Sequence, residues 1–372
     1  MNEAMSPSAP VAELVEGLLA GRRIALARAI SAVENQGPGF RELLDAVHAR
    51  AGRAQRIGVT GPPGAGKSTL VAALIAHYRG RAQSIGVVAV DPTSPFTGGA
   101  LLGDRIRMND VALDDGVFIR SMATRGSAGG LALTTEEVAD VMDAYGFDRI
   151  IIETVGVGQT ELGIAAAADT TAVVLVPESG DGIQAMKAGL MEVSDLFVIN
   201  KADRPGADRM AREISMMLHL RTGNFMRNLP AHHGVDLSRA GSDRKARTLA
   251  RPQPESGARP VWEIPVLQTV AEAQQGIDAL VAALDAHFEW LVSSGQRERR
   301  RTERWTERVR EVANRSIGRT VWRSRGGDEM LAKAAAAPDA TARSPYQVAA
   351  TIVAATLGEE VPVARYQSTG RS

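Results

Sequence analysis

The N-terminal part of the chain alternates apolar and polar residues at helical spacing. Val11, Leu14 and Leu18 share one helical face, and similar spacing resumes after a Gly-Pro-Gly break at 37–39. No strand-like run interrupts this part of the sequence. The pattern predicts that residues 1–50 form a helical extension packed on the main domain.

Beyond this extension, short apolar runs alternate with helical stretches. Most runs are nearly continuous, which is typical of parallel strands covered on both faces. Strands that alternate with helices predict an α/β fold with a doubly wound, mostly parallel sheet. The predicted strands are Ile57–Thr60, Ile85–Val90, Val117–Met122, Arg149–Glu153, Ala172–Pro177, Leu196–Asn200 and Pro265–Thr269.

A long stretch without periodicity interrupts the alternation at residues 226–260. It is rich in Pro, Arg, Gly and Ser. A loop of this length inside a compact domain is typical of an insertion. One more strand and a helix follow it. We therefore expect an α/β domain over residues 51–292 that carries this insertion.

A highly charged helical pattern follows the α/β domain. Residues 297–311 interleave Arg with Glu, while Trp305, Val309 and Val312 repeat at helical spacing. Such a charge run is most often a solvated helix face. The alternative is an arm that packs against a second subunit through the apolar stripe. We interpret residues 293–372 as a C-terminal helical arm and tail.

Composition narrows the classes of partner. The 372 residues include 43 Lys plus Arg, 43 Asp plus Glu and no Cys. Balanced charge argues against a nucleic acid or an anionic membrane as a partner held by bulk electrostatics. The lack of Cys excludes disulfides, thiolate catalysis and thiolate-bound metals. Because we see neither a basic, apolar leader nor the ~20 apolar residues of a membrane helix, we expect a cytoplasmic protein.

A phosphate-binding loop follows the first predicted strand. Its glycines allow backbone N–H groups to surround a phosphate, Lys67 adds a cation, and the Ser68 hydroxyl can ligate Mg²⁺. The helix that begins near Gly66 directs its positive end at the same point. The loop comprises Gly61, Pro62, Pro63, Gly64, Ala65, Gly66, Lys67, Ser68 and Thr69.

A second motif selects the base. Asn200, Lys201 and Asp203 form an N-K-x-D sequence directly after an apolar strand, where open α/β sheets bind ligands. The Asp203 carboxylate can accept hydrogen bonds from N1–H and the 2-amino group of guanine. Adenine offers neither donor at that edge, and an unpaired acceptor would remain. The motif therefore predicts GTP or GDP as the ligand.

Acidic residues follow other predicted strands. Asp91 and Glu153 each come directly after an apolar run, and Asp104 lies between them in the sequence. Carboxylates at the carboxyl edge of a sheet can hold Mg²⁺ or orient an attacking water. Any one of them alone could be a helix cap or a turn residue. Together with the phosphate loop they favour a magnesium-dependent hydrolase.

Four sequence strings resemble one family. VDPTSPFTGGALLGDRIRM, TRGSAGGLA, ETVGVGQTE and NKADR are similar to the GTPases that chaperone adenosylcobalamin-dependent acyl-CoA mutases. These are the MeaB/ArgK/MMAA-type proteins. The resemblance runs over nearly the whole chain and implies a P-loop NTPase fold of the SIMIBI, signal-recognition-particle-like class. It also implies that the C-terminal arm forms a homodimer.

The resemblance also implies roles for individual residues. The Mg²⁺ and hydrolysis residues would be Lys67, Asp91, Asp104 and Glu153, with Ser68 as a further metal ligand, and the second switch would run from Glu153 to Gly156. A third base-contacting loop would comprise Val270, Ala271 and Glu272. Many relatives have Ser where Val270 stands, which leaves that contact to the backbone. A segment that couples nucleotide state to the mutase would include Asp181 and Lys187.

The resemblance leaves the partner open. Methylmalonyl-CoA mutase is the default, with ethylmalonyl-, isobutyryl- and 2-hydroxyisobutyryl-CoA mutases as alternatives. A P-loop kinase of the transport-kinase type, which would phosphorylate a small molecule or a protein, is a rival function. A nucleotide-binding module that never hydrolyses is a third, disfavoured by the joint presence of Lys67, Asp104 and Glu153.

Overall fold

The computed structural model describes residues 7–91, 113–123, 128–154, 167–177, 190–221, 261–337 and 343–358. The chain divides into two compact units, Met1–Arg300 and Arg301–Ser372. Several predicted features lie outside the described residues: Asp104, Gly156, Asp181, Lys187 and the insertion at 226–260. Asp91 ends a described strand, but its side chain is outside the description.

Within the described residues, seven strands form one sheet in the order β3-β2-β4-β1-β5-β6-β7, and every paired neighbour is parallel. The prediction of a parallel, doubly wound α/β sheet is confirmed. The strands are β1 (Gln55–Thr60), β2 (Ile85–Asp91), β3 (Val117–Ala123), β4 (Arg149–Thr154), β5 (Thr170–Leu175), β6 (Leu196–Asn200) and β7 (Val266–Thr269).

One strand is displaced from its predicted bounds. β5 begins at Thr170, two residues before the predicted Ala172, and ends at Leu175 rather than Pro177. Thr170 and Thr171 are β-branched, pair with β1 and are buried, which suits them to a strand. Proline lacks the N–H that continues a ladder, so the strand ends before it.

Helices cover both faces of the sheet. On one face, α4 (Lys67–Gly80) and α7 (Ile277–Ser293) enclose an apolar cluster with alternate strand residues such as Val59 and Val174. On the other face, α5 (Ala128–Tyr145) packs over β2 and β4, and α6 (Ala207–Arg221) packs over β5 and β6. The central strands are therefore buried on both sides, as their apolar sequences require.

The N-terminal extension is three helices, α1 (Ala9–Leu19), α2 (Arg23–Glu34) and α3 (Phe40–His48). Their apolar faces join the same cluster as α5 and the sheet residues Val88 and Ile152. These helices thus pack on α5 and extend the apolar layer on that side of the sheet, which removes its apolar surface from water.

The second unit is helical. The helix α8 (Gln296–Arg319) begins in the first unit and is followed by a π-helical segment, Thr320–Ser324, then α9 (Gly327–Ala335) and α10 (Pro345–Leu357). No described residue of α8 is buried, as expected for a charged helix with solvent around it. Among the residues described, none of the helices has the length and apolar character needed to cross a bilayer.

A buried polar cluster lies at the amino ends of β5 and β6. The His287 side chain is fully buried, its Nδ1 shares a hydrogen bond with Thr170 Oγ1 at 2.8 Å, and its Nε2 faces Asp195 Oδ1 at 3.3 Å. Arg300 Nη2 donates to the same Asp195 oxygen at 2.9 Å. This cluster joins α7 and the start of α8 to the sheet.

The turn after β1 passes very close to β5. Gly61 has φ +141°, a conformation that residues with a side chain rarely adopt. A Cβ built there would overlap the carbonyl oxygen of Val174. Gly64, three residues on, also has positive φ (+76°), but nothing lies within 4 Å of a Cβ built there. The two glycines therefore share a backbone requirement but not a packing requirement.

The buried His287 makes stability depend on pH. Burial, aided by Arg300 and opposed by Asp195 and Asp169, lowers the pKa of His287 from 6.5 to about 4. Between these values the unfolded chain binds a proton that the folded protein does not. The free energy of unfolding should therefore fall by on the order of 3 kcal/mol as pH drops from 6.5 to 4.

Urea unfolding across this range should show a shallower pH slope in His287→Leu, and an unaltered slope in the exposed control His48→Gln. A wild-type slope retained in His287→Leu would contradict the assignment.

We predict that Gly61→Ala and Gly64→Ala differ sharply in stability without nucleotide. Gly64→Ala should cost about 1 kcal/mol, which is the strain of a left-handed backbone. Gly61→Ala should cost more than about 3 kcal/mol, because the backbone of β5 cannot yield to the new methyl group. Denaturant unfolding of both ligand-free variants measures this difference. Equal losses would show that the close approach to Val174 is unimportant.

Candidate functional site

The carboxyl edge of the sheet carries a cavity of about 620 Å³ above the loop that joins β1 to α4. Parallel strands all end at this edge, so the loops that follow them meet there. The residues that line the cavity are Pro63, Gly64, Gly66, Lys67, Ser68, Thr69, Glu153, Thr154, Lys201 and Glu272. Seven of these are residues that the sequence analysis assigned to the phosphate loop or to hydrolysis.

The loop holds the Lys67 ammonium at the floor of the cavity. Its Nζ donates to the carbonyl oxygens of Gly61 at 2.8 Å and Pro62 at 2.9 Å, and the residue is only 6% exposed. Lys67 is also the first residue of α4, so the positive end of the helix dipole faces the same space. This concentration of positive potential suits a phosphate chain.

A hydroxyl and a carboxylate meet beside the lysine. Ser68 Oγ donates to Glu153 Oε1 at 2.6 Å, and Glu153 is 2% exposed at the end of β4. Oxygen donors of this kind are those that Mg²⁺ prefers, so the pair fits a magnesium site. No group of three or more His, Cys, Asp or Glu residues suited to a metal occurs in the described part of the chain. Of the four predicted ligands, Ser68 and Glu153 come together; Asp104 and the Asp91 side chain are not described.

The buried side chain of Asn200, the last residue of β6, joins three loops: the one that follows β6, the phosphate loop and the loop after β7. Its Nδ2 donates to the carbonyl oxygen of Ala65 at 3.0 Å, and its Oδ1 accepts from Ala271 N at 3.1 Å and from Thr269 Oγ1 at 3.2 Å. One amide therefore connects the phosphate loop to the loop after β7. Lys201 adds a second connection, since its Nζ donates to Gly64 O at 3.0 Å.

A smaller pocket of about 100 Å³ adjoins the first cavity. The predicted guanine-reading residue Asp203 lines it and is exposed. Its lining comprises Gly66, Thr69, Asn200, Lys201, Asp203, Arg204, Val270, Ala271 and Glu272. The N-K-x-D motif and the predicted third loop, which come from distant parts of the sequence, thus enclose one pocket.

Sequence reasoning missed two residues of this arrangement. Thr269 is 1% exposed and supplies a hydroxyl to Asn200, and Arg204 lines the pocket beside Asp203. A polar residue at the last position of a strand was the available signal for Thr269. Nothing in the local sequence identifies its partner, because that partner lies on the neighbouring strand β6.

Comparisons with known proteins agree with this geometry. The family model described as "Methylmalonyl Co-A mutase-associated GTPase MeaB" matches residues 26–325. A protein of Pyrococcus abyssi (strain GE5 / Orsay), described as "Putative GTPase", is 42% identical over 348 residues, 93% of this chain and 97% of its own length. The GTPase ArgK of Escherichia coli (strain K12) is 33% identical over 317 residues, 84% of this chain and 86% of its own.

A solved structure has the same fold. The structure titled "Crystal structure of LAO/AO transport system kinase" aligns with a TM-score of 0.60 at 27% identity, covering 95% of this chain and 97% of its own. The chain therefore belongs to the family of methylmalonyl Co-A mutase-associated GTPases, MeaB.

Proposed function

We propose that this GTPase acts as a G-protein chaperone of an adenosylcobalamin-dependent acyl-CoA mutase, where it gates loading or protection of the cofactor. The chain is a GTP hydrolase by its family and its relatives. The observation that carries the nucleotide part of the proposal is the continuity of the phosphate cavity with the pocket at Asp203. A guanine nucleotide spans both.

The hydrolytic mechanism follows from the residues around the phosphate cavity. Lys67 exchanges its carbonyl partners for oxygens of the β- and γ-phosphates, while the N–H groups at the start of α4 contact the same chain. Ser68 and Glu153, with Asp91 and Asp104, would hold Mg²⁺, which neutralises charge that develops on the transferred phosphoryl group. Glu153, near the end of β4, would also orient the attacking water.

The proposed switch starts from the same residue. Glu153 is the penultimate residue of β4, and the segment from it through Gly156 would be ordered by the γ-phosphate and released after hydrolysis. The segment with Asp181 and Lys187 follows β5 and would carry this change to the mutase. A mutase can respond only if it binds the two nucleotide states with different affinity.

The family supports the choice of partner, since its description names methylmalonyl-CoA mutase. Ethylmalonyl-, isobutyryl- and 2-hydroxyisobutyryl-CoA mutases use related chemistry and remain candidates within the proposal. The equal numbers of acidic and basic residues favour a protein partner over a nucleic acid or a membrane. The transport-kinase alternative is not favoured, because the family model and the curated relatives are described as GTPases.

A homodimer is part of the proposal. Four large apolar side chains on α8 are more than two-fifths exposed, with Trp305 at 56%. Trp305, Val309 and Val312 recur at helical spacing on a helix whose other positions are mainly charged, a pattern that suits a seam between two helices. The four residues are Trp305, Val309, Val312 and Ile317.

We predict that Asp203→Asn exchanges guanine for xanthine. The asparagine amide donates where the carboxylate accepted, so it opposes the 2-amino group of guanine and suits the 2-oxo group of xanthine. Affinity for GDP should fall about a hundredfold or more, and affinity for XDP should rise. Calorimetry measures both. Asp208→Asn, an exposed carboxylate outside the pocket, should leave both affinities unchanged.

The chaperone role is tested by titration of the purified mutase. We expect methylmalonyl-CoA mutase to bind the GDP-loaded and GTP-analogue-loaded protein with affinities that differ by at least about fivefold, the lower range of typical couplings. Interferometry with immobilised mutase gives both constants. Equal affinities would remove the switch, and binding to none of the four candidate mutases would remove the chaperone role while leaving GTP hydrolysis intact.

A further inference from the structure

The phosphate cavity and the base pocket meet along one shared wall. Gly66, Thr69, Lys201 and Glu272 line both spaces. A bound nucleotide places its phosphates over the loop before α4 and its base at Asp203. Its ribose is the covalent link between the phosphates and the base, so we expect the sugar to lie against these four shared residues.

Among the four residues of the shared wall, Glu272 is the one that only accepts hydrogen bonds. Gly66 has no side chain, Thr69 carries a hydroxyl, and the Lys201 ammonium is a donor already directed at Gly64 O. The ribose of a nucleotide has two hydroxyl groups that donate. A carboxylate can accept from both at once, and such charge-assisted hydrogen bonds are among the strong ones.

The backbone holds Glu272 in a fixed position. Glu272 is the central residue of a 3₁₀ turn, Ala271–Ala273, whose first N–H is bound by Asn200. Val270 and Gln275 close the base of this turn through hydrogen bonds of 3.1 and 3.2 Å in both directions. Ala271 itself is buried in the apolar cluster beneath α4. The turn is thus hydrogen-bonded to the carboxyl edge of the sheet, where Glu272 lines both spaces.

The Glu272 carboxylate is also available. The residue is exposed, and within the part of the chain that the structure describes it has neither a hydrogen-bond nor an ion-pair partner. The Asn200 amide differs in this respect, since its oxygen already accepts two hydrogen bonds from the protein. The carboxylate oxygens of Glu272 can therefore accept hydrogen bonds from a ligand that lies against these shared residues.

We propose that Glu272 reads the ribose of the nucleotide, by accepting hydrogen bonds from its 2′- and 3′-hydroxyl groups. The residue makes this GTPase selective for ribonucleotides over deoxyribonucleotides. The inference rests on the guanine-nucleotide site proposed above and adds to it a residue that specifies the sugar. Glu272 is a specificity residue, because it touches neither the transferred phosphoryl group nor the attacking water.

Calorimetry of the full-length chain with GDP and with 2′,3′-dideoxy-GDP tests the proposal. The wild-type protein should bind GDP about tenfold to a hundredfold more tightly than the dideoxy analogue. Glu272→Ala should weaken GDP by that factor and leave the affinity for the dideoxy analogue unchanged. Glu272→Gln, which keeps the shape but not the charge, should fall between them. The exposed control Glu263→Gln, outside both spaces, should match the wild-type protein.

Two results would overturn the proposal. A wild-type preference for GDP that persists in Glu272→Ala would assign the sugar contact to another residue. An equal loss of both ligands in that variant would mean that Glu272 contacts the base or supports the loop. Failure of the guanine site itself gives a different result, because the wild-type protein would then bind ADP as tightly as GDP. Thermal unfolding without ligand verifies that the exposed substitutions leave the fold unchanged.

Discussion

The amide of Asn200 fixes the spacing between the two halves of the nucleotide site. Buried at 2% exposure, it uses its donor on the loop before α4 and its acceptor on the loop after β7. A buried amide left without partners would cost free energy, so these hydrogen bonds favour the observed arrangement of the loops. The cavity above the phosphate loop, the pocket at Asp203 and the turn at Glu272 all depend on that contact.

The two edges of the sheet carry different tasks. At the amino edge, charged side chains bind other groups of the protein. Asp143 accepts hydrogen bonds from the backbone N–H groups of Gly52, Arg53 and Ala54 and from the Arg56 side chain. The His287 cluster beside it is equally enclosed. At the carboxyl edge, Lys67 and Glu153 stay beside an open cavity. The parallel arrangement causes this division, because the loops that follow the strands all meet at the carboxyl edge. The amino edge is left for contacts that stabilise the fold.

Much of the fold was predictable because its signals are local. The seven apolar runs and the break between helix and strand periodicity lie within short windows of sequence, and they predicted the strands to within two residues at either end. The phosphate loop and the N-K-x-D motif were equally accessible, since each is contiguous. Thr269 was missed because its partner lies on the neighbouring strand, and Arg204 because no motif gives a role to the residue after Asp203.

The sequence by itself determined that a strand, a glycine loop and a lysine-bearing helix follow one another, and that a second strand ends in a guanine-reading motif. Such features are set by backbone propensity and by side-chain chemistry at fixed spacing. The tertiary structure alone decided that Ser68 meets Glu153, that Asn200 joins three loops and that Glu272 borders both spaces. Those contacts link residues far apart in the chain, and only the order and register of the parallel strands bring them within hydrogen-bonding distance.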